Sequence, residues 1–194
     1  NLARDLFAEG ALSSAFVPTF TAYLARSRRE AAELANQVTA AVFLVIGVVC
    51  LAGIFLSPAI VSVMAPGFSE VPGKSELAVH LMRIMFPFLL LVALAAQAMG
   101  ILNSCNQFGV PALSSTFFNL GSVAFGLALG FWWGPSLGIS QLEGMAYGVV
   151  IGGALQLAWQ LPALWRAGFA FKLRFDWSHP GLRHIVRLMG PAIL

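Results

Sequence analysis

Three stretches without a single Asp, Glu, Lys or Arg govern what this chain can become: residues 34–69, 84–142 and 144–165. A membrane-crossing helix needs about 20 apolar residues. The first stretch holds one span, the second holds two with a turn between them, and the third holds one more. The turn reads Asn103-Ser104-Cys105-Asn106-Gln107-Phe108-Gly109, and Pro111 suits the first turn of the helix that follows. Four complete spans result, at about 38–64, 78–102, 111–133 and 144–165. Arg83 intrudes early in the second, close enough to its end to snorkel. The 194 residues are 59% apolar and 10% charged, where a soluble domain carries about 25% charge. That balance excludes a soluble enzyme, a disordered chain and a nucleic-acid binder. The expected fold class is all-α, a polytopic membrane helical bundle.

The flanks extend this plan. Residues 1–25 read as an amphipathic helix ending at Arg26, and residues 185–194 as the start of another apolar helix. Both ends lie inside apparent elements and no signal peptide opens the chain, so a fragment of a larger polytopic protein is expected. Loop charges set the orientation. Arg26, Arg28, Arg29, Arg166, Lys172, Arg174, Arg183 and Arg187 fall on one side if the spans alternate. The opposite loops, 66–76 and 134–143, hold one Lys and no Arg, a count of eight against one. The side rich in Lys and Arg is cytoplasmic. Residues 169–177 alternate Phe169, Phe171, Leu173, Phe175 and Trp177 with Ala170, Lys172, Arg174 and Asp176. Period two indicates an extended interfacial connector, with an anionic-lipid headgroup site as the sharper alternative.

Gly144, Gly148 and Gly152 are four apart, as are Gly126 and Gly130. This spacing places glycines on one helix face where backbones approach closely. Packing within the chain is the plainer reading, and homodimerisation the other. Cys50 and Cys105 lack metal-ligand spacing, and His179 and His184 lack metal-ligand company. No disulfide framework, metal site, cofactor or catalytic constellation is expected.

The first helix carries the unusual chemistry. At about 100° per residue, Asp5 and Glu9 share a face with Ser13 one turn on, and Arg4 lies beside Asp5. Glu9 is 17 residues before Arg26, about 25 Å along a helix. If Arg26 marks the inner interface, Glu9 lies within a hydrocarbon layer about 30 Å thick. A charge at depth costs about 2.5–3.5 kcal/mol, so it should face a polar cavity or a partner. Alternatively the helix begins near Asn1 at the outer interface, with Arg4 and Asp5 in water and Glu9 alone buried.

The run Arg4-Asp5-Leu6-Phe7-Ala8-Glu9-Gly10-Ala11, continued by Ala15-Phe16-Val17-Pro18, closely resembles the second transmembrane helix of the MurJ/MviN lipid II flippases. These belong to the multidrug/oligosaccharidyl-lipid/polysaccharide exporter superfamily. Further similar motifs follow in order: Ala65-Pro66-Gly67-Phe68, Phe86-Pro87, Ile101-Leu102-Asn103, Pro111-Ala112, Asn119, Gln156-Leu157, Gln160-Leu161-Pro162 and Met189-Gly190-Pro191-Ala192. The resemblance implies part of the N-terminal lobe of a MATE-like flippase, from the end of helix two to the start of helix seven. Residues 1–165 would form the N-lobe bundle, 166–184 a cytoplasmic inter-lobe connector, and 185–194 the truncated start of the next helix.

It further implies a multi-pass protein of the bacterial cytoplasmic membrane, a transporter and not an enzyme, working in cell-wall synthesis. The substrate would be lipid II, flipped to the outer leaflet by alternating access. Partners would be that lipid, membrane lipids and the remaining helices of the full-length protein. Arg4 and Glu9 match cavity positions of the family and are the candidate substrate-binding residues. Asp5 departs from the pattern, which has a second basic residue there. Another lipid-linked oligosaccharide or drug exporter of the superfamily is the alternative, and a non-transporting membrane scaffold a third.

Overall fold

The computed structural model describes residues 11–171, 176 and 179–193. Seven α-helices follow one another among them: α1 (Ala11–Arg26), α2 (Arg28–Met64), α3 (Lys74–Met85), α4 (Pro87–Ser104), α5 (Gly109–Leu127), α6 (Gln141–Arg166) and α7 (Pro180–Ile193). No strand occurs among the described residues, and the fold is an all-α bundle. Among the described residues four helical stretches are long and apolar enough to cross a membrane: Arg28–Met64, Lys74–Ser104, Gly109–Trp132 and Gln141–Arg166.

Helix boundaries depart from the apolar windows for local reasons. α2 starts at Arg28, well before residue 38, because Ser27 alone separates it from α1 and its first turns bury Ala31, Leu34 and Ala35. The stretch 74–104 bends through Phe86 and Pro87. Phe86 keeps helical dihedrals (φ −55°, ψ −41°), so Pro87 interrupts the hydrogen-bond ladder without ending the rise. α5 ends in one wide turn, Ala128–Trp132, in which Trp133 N–H reaches back to Ala128 O at 2.8 Å. α7 starts at Pro180, which leaves residues 167–179 to join it to α6. Within that join Phe169 is buried and Ala170 exposed, but Phe171, on the face expected to be apolar with Phe169, is exposed too, and most of the alternating segment 169–177 lies outside the described residues.

The helix ends at the basic side are closed by their own backbone. After α4, Gln107 N–H donates to Leu102 O at 2.9 Å and Asn106 N–H to Asn103 O at 3.0 Å. After α6, Phe169 N–H donates to Leu164 O and Gly168 N–H to Trp165 O, both at 2.9 Å. Both are Schellman closures, which need a left-handed residue just past the end. Asn106 (φ 59°) and Gly168 (φ 83°) fill that position. The second closure turns Phe169 into the core. At the other side α6 opens with a capping box: Ser140 N–H donates to Glu143 Oε2 at 2.6 Å, and Glu143 N–H to Ser140 Oγ at 3.3 Å.

The main core lies toward the basic end, where Phe16 and Phe20 of α1, Leu34 and Val38 of α2, Ile101 and Leu102 of α4, Leu164 of α6 and Leu182 and Ile185 of α7 are buried together. α5 and α6 pack through glycine. A Cβ on Gly148 would lie 2.5 Å from Gly126 Cα, and one on Gly144 or Gly152 would strike α5, its closing turn or the Ser122 side chain. The four-residue glycine spacing therefore serves packing within the chain.

Candidate functional site

Arg4, Asp5 and Glu9, with the rest of residues 1–10, lie outside the described residues. What the structure gives is the scaffold that their helix continues into. α1 is held from three sides. Phe16 packs against the open face of Gly100 on α4, where a Cβ would come within 3.2 Å of its ring. Phe16 stacks on Phe20 at 5.2 Å, and Phe20 meets Phe169 at 5.5 Å. On the α7 side Tyr23 meets His179 at 6.1 Å. Two threonine hydroxyls on this helix bond within it: Thr19 Oγ1 donates to Ala15 O and Thr21 Oγ1 to Val17 O.

The uncovered side of α1 is unlike the uncovered side of α2. On α1, among residues 15–26, it comprises Pro18, Thr21, Ala22, Ala25 and Arg26. No large apolar side chain is exposed there, whereas α2 exposes Phe43, Leu44, Val48, Phe55, Leu56 and Val63, among others. Hydrocarbon favours the second kind of surface. A side of small and hydroxylated residues suits close protein contact or water.

Polar side chains inside the bundle tie α4 to its neighbours. Gln97 is buried and its Nε2 donates to Thr39 Oγ1 (2.9 Å) and Ala35 O (3.1 Å) on α2. Gln160 of α6, equally buried, donates from Nε2 to Ala95 O of α4 and to Gln156 O, each at 3.2 Å. In both amides Oε1 has no protein partner. The motif containing Gln160 is visible in the sequence, but its contact with α4 is not. Gln97 carried no distinguishing signal beyond being polar in an apolar run.

Arg28 at the basic end serves structure. Arg28 Nη2 donates to Ala167 O at the end of α6, and the guanidinium lies 5.7 Å from the Phe169 ring centre. The same charge reaches Cys105, whose thiol burial pushes up and Arg28 partly draws down. Beside it a cavity of about 520 Å³ is lined by Arg29, Glu33, Asn36, Gln37, Asp176 and His179, among others. There Asp176 N–H donates to Gln37 Oε1 at 2.6 Å. Its described acids and bases are mixed, and Lys172 and Arg174, the bases of the alternating segment, lie outside the described residues. Arg83, an exposed side chain, donates from Nε to Ile54 O of α2 at 3.2 Å. No group of three or more His, Cys, Asp or Glu able to hold a metal occurs among the described residues.

Comparison with known proteins adds a family context. The family model described as "Lipid II flippase MurJ" matches residues 1–194. A "Probable lipid II flippase MurJ" of Buchnera aphidicola subsp. Acyrthosiphon pisum is 34% identical over 195 residues, covering 100% of this chain and 37% of the relative. One from Vibrio cholerae is 33% identical over 202 residues, with the same coverages of 100% and 37%. One from Rickettsia prowazekii is 32% identical over 195 residues, again covering 100% and 37%. The chain thus spans little more than a third of the length of these relatives. Among solved structures, "Lipid II flippase MurJ, inward closed conformation" superposes with a TM-score of 0.73 at 24% identity, covering 98% of this chain and 37% of that one. This likeness shows a shared fold.

Proposed function

The chain belongs to the lipid II flippase MurJ family, and from that premise we propose that the full-length protein carries lipid II from the cytoplasmic to the outer leaflet by alternating access. It is a multi-pass membrane protein, and the proposed membrane is the bacterial cytoplasmic one, with the basic loops inside. Residues 1–165 would contribute to the N-lobe, and the connector on the cytoplasmic side would centre on 167–179, narrower than the 166–184 read from the sequence because α6 runs to Arg166 and α7 starts at Pro180. The observation that carries the reading is the uncovered side of α1, which holds small and hydroxylated residues where α2 presents Phe, Leu and Val. A helix of that kind suits water or close protein contact better than lipid tails, as a helix lining a cavity must.

Arg4 and Glu9 are the proposed contact residues of that cavity. The ligand is a diphosphate bearing a sugar-peptide headgroup. A guanidinium offers forked, charge-assisted donors to phosphate oxygens. Glu9 holds a cavity arginine in position or accepts from sugar hydroxyls. Transfer across the bilayer breaks no covalent bond, so the residues bind and release without acting as acid, base or nucleophile. Growth of cells that depend on the full-length protein as their sole flippase tests the reading. Failure of the parent protein to sustain growth, despite normal membrane levels, would overturn it.

A further inference from the structure

Pro58 lies inside α2 and has no N–H, so the carbonyl of Ile54, four residues earlier, loses its helical donor. Within a membrane such a freed carbonyl must be satisfied by a neighbour. Arg83 of α3 does this, with Nε 3.2 Å from Ile54 O. Two further contacts surround it. The Phe86 ring fills the notch over Gly53, where any Cβ would overlap it. Cys50 Sγ donates to Phe86 O at 3.1 Å. Successive turns of α2 are thus joined to the residues just before Pro87, the second proline interruption. Two breaks in the helical ladder lie side by side, and a side chain bridges them.

We propose that Arg83 is a positioning residue, whose guanidinium replaces the donor removed by Pro58 and so makes a clasped joint at which the outer end of α2 changes its angle. The bond uses one of the five guanidinium donors and leaves the charge in place. The clasp stands apart from the transport reading. The use of the joint during the transport cycle rests on it.

The test is a double-mutant cycle in the full-length protein, with Pro58→Ala and Arg83→Gln singly and together. Alanine returns an N–H to Ile54 O. Arg83→Gln therefore lowers the thermal unfolding midpoint in detergent when Pro58 is present, and by less than half as much in the Pro58→Ala background. Equal losses in both backgrounds overturn the clasp. Spin labels at Val48 and Val63, both exposed and on either side of Pro58, read the joint directly. The parent gives a broad or double distance distribution, and Pro58→Ala narrows it to one. A single narrow distance in both proteins overturns the joint. Growth as sole flippase then separates this inference from the transport reading. Impaired growth of Pro58→Ala beside a growing parent supports use of the joint, and parental growth of that variant overturns its use. Failure of the parent itself counts against transport, while unfolding and distances still decide the clasp and the joint.

Discussion

Gln97 Nε2 lies 2.9 Å from Thr39 Oγ1, and that hydroxyl in turn donates to Ala35 O at 2.8 Å. The direction of the second bond fixes the first: the threonine proton is used on α2, so the amide must donate. α2 and α4 are therefore joined by a short polar chain within an apolar core. Interhelical hydrogen bonds in membranes contribute about 0.6 kcal/mol on average, reaching about 1.7. Gln97→Leu is expected to cost no more than that range, because it also removes the unpartnered Oε1. Gln97→Ala costs more, since it adds a cavity. Combining Gln97→Leu with Thr39→Val should cost less than the sum of the two. Reversible unfolding in detergent measures all four, and strict additivity would dissolve the pair.

Gly148 faces the backbone of Gly126 with no room for a Cβ. Gly148→Leu is expected to abolish folding or expression of the full-length protein, and Gly148→Ala to lower its unfolding midpoint. Gly109, whose added Cβ would meet nothing within 4 Å, provides the control. Gly109→Ala should be neutral and Gly109→Pro less so. Normal stability of Gly148→Leu would remove the case for this packing face.

Cys105 is half-buried just past α4, and burial raises its thiol above the ordinary range more than Arg28 lowers it. A thiol reagent reacts with the thiolate. Labelling of Cys105 in the full-length protein should be slow at neutral pH and accelerate with alkalinity, from the cytoplasmic side alone. Cys50, buried within α2, should stay protected. Labelling of Cys105 exclusively from outside would reverse the orientation deduced from Lys and Arg counts.

Arg4→Ala and Glu9→Ala are each expected to abolish growth of cells relying on the full-length protein. Arg4→Lys should rescue in part, because an ammonium replaces a planar fork with a point charge. Asp5→Asn and Asp5→Lys should be tolerated. Membrane levels need parallel measurement, since removing half of a buried ion pair can cost about 3–5 kcal/mol. Normal levels and normal growth of both alanine variants would place these residues at the outer interface.

The sequence alone determined the class of fold. Uncharged runs of span length leave a chain little choice but helices, because a backbone in hydrocarbon must satisfy its own hydrogen bonds. Glycine spacing likewise announced a close-packed face on the helix containing Gly148, and a family pattern around Arg4 and Glu9 pointed to a cavity helix. Partners were another matter. Gly148 meets Gly126, Gln160 reaches Ala95, and Arg83 reaches Ile54 across 29 residues. Local pattern encodes which atoms need a partner, since a glycine offers a gap, an amide offers donors and a proline frees a carbonyl. Which neighbour answers depends on how the helices assemble, and that is a property of the packed bundle as a whole.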